Sequence, residues 1–196
     1  LSRGAMPLKK LISLCEDYMM PAVAVTDTNN LFGAMEFSQL AKNSGIQPII
    51  GCELAINCQR EPVTGSEGDN THILLQPIIV LVKNQLGYKH LLKLLASAYM
   101  GQHEVSPIIT LSALQKYSEG LIAFSGGVQG PIGKLLLDDQ TQAANDLAVI
   151  FYNIFKHDFY IEITRHGLEE EGKTEDWFLN FAHTNNIPLV ATNDVF

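Results

Sequence analysis

The stretch MPAVAVTDTNNLFGAMEFSQLAKNSGIQPIIGCE, residues 20–53, contains a complete strand–helix–strand unit. Residues 21–27 form a short apolar run that ends in Thr-Asp, a pattern typical of a buried strand. Apolar side chains then recur at helical spacing until Gly45, which predicts a helix that ends at this glycine. A second apolar strand follows at 47–53. This order indicates a fold built from βα units.

The same alternation continues on both sides of this unit. A helix with Pro7 in its first turn is predicted, and further strands and amphipathic helices are predicted at 77–82, 88–99, 120–125, 144–155, 159–163, 177–182 and 188–194. Repeated units of this kind predict an α/β fold, either a parallel barrel or an open doubly wound sheet. No Gly-x-Gly-x-x-Gly follows the first strand and no Walker loop occurs, so the barrel is favoured.

Composition and charge restrict the function classes. The chain has 196 residues, of which 46% are hydrophobic and 17% are charged, as expected of one globular domain. Its net charge is −8 and its 13 basic residues are thinly spread. Tight binding of DNA requires clustered Lys and Arg, so we expect that this chain does not bind DNA directly. No membrane span or signal peptide is recognisable, which favours the cytoplasm. The cysteines form no CxxC pair and are expected to be small buried hydrophobes.

Polar residues follow several of the predicted strands. Asp27, Glu53, Ser125 and Asp194 lie at or just beyond strand carboxyl ends. In parallel barrels these ends meet at one rim, where active sites gather. Acidic residues also follow strands simply as turn formers and helix caps. Position alone leaves both interpretations open.

Other conspicuous residues have plain structural interpretations. His157 and His166 flank a strand, and isolated histidines are more often surface or satisfied core residues than ligands. The acidic run at 169–176 is interpreted as a solvated helix start, with a basic partner surface as the alternative. Trp177 and Phe178 fit a core stripe. Residues 57–70 are polar and rich in Gly and Pro, so a mobile loop insert is predicted there.

Six motifs go beyond these general patterns, because they resemble, in order, landmarks of a known domain. They are AMPLKKL at 5–11, MPAVAVTDTNNLFGAMEF at 20–37, GIQPIIGCE at 45–53, LGYKHLLKL at 86–94, EGLIAFSGG at 119–127 and IPLVATND at 187–194. Together they resemble the N-terminal polymerase-and-histidinol-phosphatase (PHP) domain of bacterial replicative DNA polymerase alpha subunits. The resemblance covers nearly all of residues 1–196, which we interpret as one such domain.

The resemblance implies a fold and a role. The fold would be α/β, a distorted seven-stranded TIM-like (β/α) barrel, here lacking a first strand that carries His-x-His. The complete protein would be a DNA-directed DNA polymerase of chromosome replication, whose Mg²⁺ and DNA are bound by other domains. The chain itself would hold no catalytic or cofactor-binding residue. It would contribute architecture and dock the proofreading exonuclease and other replicase subunits, with no membrane partner.

Metal-binding members of the family carry His, Asp, Glu and Cys ligands at the barrel mouth. Matched position by position, five of these ligands are replaced here, by Arg3, Thr28, Pro77, Gly127 and Phe196. Each lost ligand removes a charge or lone pair, so metal affinity falls quickly as ligands are lost.

Two matching carboxylates remain, Glu53 and Asp194, with Asp27 and His72 as outer candidates. Two carboxylates can hold a weakly bound, water-rich Mg²⁺ but not a zinc cluster. We therefore expect a vestigial metal site and no bound metal. The alternative is a metal-dependent phosphoesterase, pyrophosphatase or intrinsic proofreading nuclease, which would need His72 in the mouth and the missing ligands restored.

Overall fold

A computed structural model describes residues 6–58, 76–100 and 107–193. Its helices are α1 (Leu8–Asp17), α2 (Ala34–Asn43), α3 (Gln85–Met100), α4 (Leu111–Lys116), α5 (Pro131–Leu137), α6 (Thr141–Phe155) and α7 (Glu169–Asn185). Its strands are β1 (Ala22–Thr28), β2 (Gln47–Asn57), β3 (Gln76–Val82), β4 (Ile109–Thr110), β5 (Leu121–Phe124), β6 (Phe159–Ile163) and β7 (Leu189–Ala191).

The strand–helix–strand unit at 20–53 is confirmed. β1 pairs with β2 in parallel, with Asp27 opposite Cys52 and Thr28 opposite Glu53. Just beyond α2, Gly45 has a φ of 71°, a left-handed conformation that glycine adopts without steric cost. The connection can therefore turn directly from the helix into β2.

The seven strands form a sheet with the order β1-β2-β3-β5-β6-β7, and β4 pairs with β2. The sheet curls into a half-barrel, so the α/β barrel-like fold is confirmed. The expectation of uniformly parallel strands is wrong for β3, which runs antiparallel to both β2 and β5. An antiparallel neighbour needs no crossover helix, and β3 follows β2 as such a neighbour.

Two apolar clusters hold the helices on the sheet. The larger packs α3 to α7 against β2, β3, β5 and β6, with Leu54, Val80, Leu91, Phe151 and Phe159 among its buried members. The smaller packs α1 and α2 against β1 and β2, and is made of Ile12, Cys15, Phe37, Ala41 and Ile46. The prediction that Cys15 is a buried apolar residue is confirmed, since only 2% of it is exposed.

The predicted loop insert at 57–70 lies mostly outside the described residues. Asn57 is the last residue of β2, and Cys58 packs against the larger cluster. His72 and Asp194 also lie outside the described ranges. Within those ranges, no helix combines the length and the apolarity that crossing a membrane requires.

Candidate functional site

The carboxyl ends of five strands meet at one rim of the half-barrel. β1 and β2 run in the same direction as β5, β6 and β7, and only β3 opposes them among these strands. Asp27 lies near the carboxyl end of β1, and Ser125 directly follows β5. The prediction that a strand ends at Glu53 is wrong, because β2 continues to Asn57; Glu53 lies inside β2, opposite Thr28 at the end of β1. Of the four polar residues predicted at strand ends, the structure describes Asp27, Glu53 and Ser125, and it divides these three into two groups along the sheet; Asp194 lies outside the described ranges.

Glu53 faces its neighbour on β1. The hydroxyl of Thr28 donates a 3.0 Å hydrogen bond to Oε1 of Glu53. The two residues are register partners, so their side chains project from the same face of the sheet. Thr28 replaces the histidine that the resemblance leads one to expect, and its hydroxyl binds the carboxylate that matched the metal-binding pattern.

Asp27 and Cys52 project from the opposite face, because side chains alternate along a strand. Oδ2 of Asp27 lies 3.3 Å from the position that a Cβ on Gly33 would occupy, at the start of α2. The thiol of Cys52 donates to the backbone oxygen of Asp27 over 3.1 Å. The structure therefore does not bring Asp27 and Glu53 together, although they are close in register.

Cys52 is a fully buried thiol that projects from the face of the sheet opposite Glu53. Burial raises its pKa to about 12, above the ordinary value of 9.0, because the charged form would be desolvated. The nearby carboxylates of Asp27 and Glu53 raise the pKa further, against hydrogen bonds that lower it.

We expect Cys52 to react with a thiol reagent at pH 8 at least about 100-fold more slowly than a free thiol, because so little thiolate is present. The measurement is stopped-flow labelling of a variant in which Cys15 and Cys58 are replaced by serine. The same variant unfolded in urea is the control and should react at the free-thiol rate. Equal rates for the native and unfolded chains would contradict the burial argument.

The second group links β5, β6 and β7. Ser125 is fully buried, and its hydroxyl oxygen accepts a 3.0 Å hydrogen bond from the backbone N–H of Glu162. Glu162 is only 4% exposed, and its Oε1 accepts a 2.6 Å hydrogen bond from the hydroxyl of Thr192. Sequence reasoning missed Glu162 and Thr192. The available signal was a charged residue inside an otherwise apolar strand, since a buried carboxylate requires partners.

A third group lies where the chain leaves β6 and enters α7. Oε2 of Glu171 accepts hydrogen bonds from the backbone N–H groups of His166, Gly167 and Leu168, at 2.8, 3.0 and 3.1 Å. Nδ1 of His166 lies 2.9 Å from Oε1 of Glu171, and its Nε2 lies 2.7 Å from Oδ1 of Asn193. His166 therefore ties the start of α7 to the end of β7.

The solvated-face interpretation of the acidic run is wrong for Glu171, which is only 6% exposed. Burial of its carboxyl group opposes ionisation. Hydrogen bonds from Leu168, His166 and Thr164 outweigh this effect and hold the pKa of Glu171 below its ordinary value. Glu171 is the third residue of α7, and its carboxylate thus holds residues 166–168, up to the N-cap Leu168, against the first turn of the helix, as the glutamate of a capping box does; we call it the internal cap.

A lowered pKa in the folded state gives Glu171 a stabilising effect that is complete above its ordinary pKa of 4.5 and is lost as the pH falls through the lower folded-state pKa. We expect Glu171→Gln to lower the urea unfolding midpoint at pH 7, and the difference from the unmodified chain to shrink as the pH falls below about 4.5. Unfolding curves between pH 7 and pH 2.5 measure this. Glu169→Gln is the control, because Glu169 is 81% exposed and its ion pair with Lys173 is screened by solvent. A constant difference at every pH would contradict the assignment.

The described donor set does not fit a metal cluster. Among the residues that the structure describes, no three His, Cys, Asp or Glu side chains come close enough to hold an ion together. Glu53 and Thr28 project from one face of the sheet, whereas Asp27 and Cys52 project from the other, so these residues do not converge on one ion. The remaining candidates, His72 and Asp194, lie outside the described ranges, so the metal assignment as a whole stays a prediction.

Comparison with known proteins identifies the class. The PHP domain family matches residues 1–166. The backbone is similar to an amidohydrolase from Chromobacterium violaceum, with a TM-score of 0.63 at 14% identity, covering 98% of this chain and 83% of that one. It is also similar to a candidate metal-dependent phosphoesterase from Bifidobacterium adolescentis, with a TM-score of 0.60 at 12% identity and the same coverage. The chain belongs to the PHP domain family.

Sequence relatives narrow this class. The chain is 36% identical to the DNA polymerase III subunit alpha of Caulobacter vibrioides over 100% of its own length and 17% of the relative. It is 35% identical to the Borreliella burgdorferi subunit and 37% identical to the Rickettsia bellii subunit, over 16% and 15% of their lengths. The chain is therefore a PHP domain homologous to the N-terminal part of DNA polymerase III alpha subunits, and it spans about a sixth of these relatives.

Proposed function

We propose that this chain is the PHP domain of a replicative DNA polymerase III alpha subunit, acting in the cytoplasm in DNA-templated DNA synthesis. The observation that carries the proposal is the identity of 36% to the Caulobacter vibrioides subunit, which extends over 100% of the chain. An alignment of that length includes the rim residues as well as the core. The nucleotide transfer itself, with its Mg²⁺ ions and DNA, belongs to domains outside this chain.

Within such a polymerase, the role of this domain is structural, and it docks the proofreading exonuclease subunit. The net charge of −8 disfavours a DNA-gripping role, because DNA is itself a polyanion. The replacement of five of the family's metal ligands, Thr28 and Gly127 among the replacements, disfavours metal-dependent hydrolysis at the rim, because each lost ligand lowers metal affinity.

The exposed start of α7 is the candidate docking surface. Glu169, Glu170 and Asp176 are exposed there, whereas Glu171 is buried as the internal cap. Glu169 forms an ion pair with Lys173, but the exposed carboxylates of Glu170 and Asp176 can meet a basic partner surface, where complementary charge speeds association and selects the partner.

The test is the affinity of the complete protein for the exonuclease subunit of the same organism, measured by isothermal titration calorimetry. We expect the double charge reversal Glu170→Lys with Asp176→Lys to weaken binding at least about 10-fold. Glu16→Lys with Asp17→Lys on α1 is the matched control, because it makes the same charge change at the other end of the strand order. Unchanged affinity would rule out the α7 surface, and no binding by the unmodified protein would rule out the docking role.

Phosphoester hydrolysis is the second candidate, favoured by the TM-score of 0.60 to the candidate metal-dependent phosphoesterase. This function requires both a bound metal and measurable hydrolysis of a phosphoester. Elemental analysis of the complete protein after dialysis against trace zinc and manganese, with an assay on a chromogenic phosphoester, separates the two functions. About a tenth of an equivalent or less supports the structural role. Two or more equivalents, lost with activity in Glu53→Ala, would establish the hydrolase instead.

A further inference from the structure

The turn that follows β1 is held by side chains rather than by a continued strand ladder. The backbone N–H of Asn29 donates to the carbonyl of Glu53 over 2.7 Å, as in an ordinary parallel pairing. The next rung differs, because the N–H of Ala55 donates to Oδ1 of Asn29 over 3.1 Å. In a continued parallel ladder, the backbone carbonyl of residue 29 would receive this bond. The side-chain amide therefore replaces the backbone carbonyl at this rung.

The backbone carbonyl of Asn29 is free for another partner because the residue adopts a left-handed conformation, with φ 54°. The hydroxyl of Tyr99, in the last turn of α3, donates to this carbonyl over 3.0 Å. Asn29 thus connects three elements, β1, β2 and α3. Asparagine tolerates this conformation better than most residues do.

The residues on either side of Asn29 complete the arrangement. Nδ2 of Asn30 donates to the carbonyl of Thr28 over 2.9 Å, and its Oδ1 accepts from the N–H of Phe32 over 3.0 Å. The Thr28 hydroxyl donates to Glu53 over 3.0 Å. Among the described residues, all of these groups therefore have protein partners, including one oxygen of the carboxylate that matched the metal-binding pattern.

We infer that Thr28, Asn29, Asn30, Glu53 and Tyr99 form a hydrogen-bonded clasp that closes the β1–β2 end of the rim without a metal ion. The inference rests on the structural role proposed above and extends it to the rim. A metal site joins strand ends through shared ligands, whereas the clasp joins them through hydroxyl, amide and carboxylate hydrogen bonds. The order of this rim is accordingly independent of divalent cations.

Hydrogen–deuterium exchange of the complete protein, followed by mass spectrometry, tests the clasp locally. In the unmodified protein, exchange in peptides covering 22–34 and 47–57 should be the same with EDTA, with excess Mn²⁺ and with Zn²⁺. Asn29→Gly keeps the left-handed backbone accessible but removes the side-chain acceptor, and should speed exchange of the Ala55 amide by about fivefold or more. Tyr99→Phe removes a single hydroxyl and should speed exchange in 22–34 by a smaller factor. Thr141→Val at an exposed helix start is the control and should change neither peptide.

Two results would overturn the inference. One is slower exchange with Mn²⁺ or faster exchange with EDTA that disappears in Glu53→Gln, which would show that a metal orders the rim. The other is unchanged exchange in both Asn29→Gly and Tyr99→Phe. If Asn29→Gly does not fold, Tyr99→Phe decides alone. The affinity of Tyr99→Phe for the exonuclease subunit distinguishes the two proposals. Faster exchange in 22–34 with unchanged affinity would support the clasp without contradicting the docking role.

Discussion

Gly87→Ala is expected to lower the free energy of unfolding by about 3 kcal/mol or more, or to prevent folding altogether. A Cβ on Gly87 would overlap the backbone carbonyl of Gly120. That carbonyl cannot move away easily, because it accepts a 2.9 Å hydrogen bond from the N–H of Lys83. The N-terminus of α3 is also fixed in place, because Oδ1 of Asn84 accepts a 3.0 Å hydrogen bond from the N–H of Gly87. Urea unfolding followed by circular dichroism measures the effect.

Gly172→Ala is the matched control for Gly87→Ala. Gly172 lies in the helix α7, and a Cβ added there meets no atom within 4 Å. Because alanine has the higher helix propensity, this change should stabilise the chain by about 0.5–1 kcal/mol. A Gly87→Ala variant as stable as the unmodified chain would show that α3 and the start of β5 are not in backbone contact.

Phe37→Ala is expected to cost about 3–5 kcal/mol, the range for removing a buried aromatic ring. Phe37 is fully buried at the centre of the smaller cluster, where it packs with Ile12, Cys15 and Ala41. This cluster attaches α1 and α2 to β1 and β2, so its loss should also loosen the rim at Thr28 and its neighbours. Unfolding curves give the cost, and exchange in residues 22–34 reports the loosening.

Phe32→Ala is the control for this second prediction. Phe32 is 81% exposed, so the same substitution five positions earlier should change stability by less than about 0.5 kcal/mol. If the two variants lost equal stability, the burial of Phe37 would not be the cause. The pair therefore separates packing from any general effect of replacing phenylalanine.

Local sequence patterns were sufficient to predict most of the secondary structure. The predicted strand at 159–163 matches β6, and the predicted first helix matches α1, although Pro7 is its N-cap and does not lie in its first turn. The patterns missed the short elements, namely β4, α4 and α5. Pro131, at the first position of α5 directly after Gly130, was an available signal for that helix. A strand of two residues shows no alternation, and helices of six or seven residues complete at most two turns, so neither gives a recognisable hydrophobic pattern.

The prediction of parallel strands was wrong for β3, which is antiparallel to its neighbours. The sequence contained a signal for this direction. The predicted strands at 47–53 and 77–82 are separated by the polar stretch 57–70, which shows no amphipathic helical pattern. Every other pair of successive predicted strands is separated by a predicted helix. Parallel neighbours require such a crossover, whereas antiparallel neighbours do not. A missing helical stripe between two strands is therefore evidence for antiparallel pairing.

The sequence by itself determined the family, the βα order and which polar residues follow the apolar runs, because these depend on local spacing and on ordered motifs. Only the tertiary structure decided which of those residues meet. Asp27 and Glu53 lie at neighbouring rungs, yet side-chain alternation places them on opposite faces, and Thr28 rather than Asp27 contacts Glu53. Likewise, Tyr99 reaches Asn29 from 70 positions away. Such contacts depend on register and on the packing of helices against the sheet, which no local window of sequence encodes.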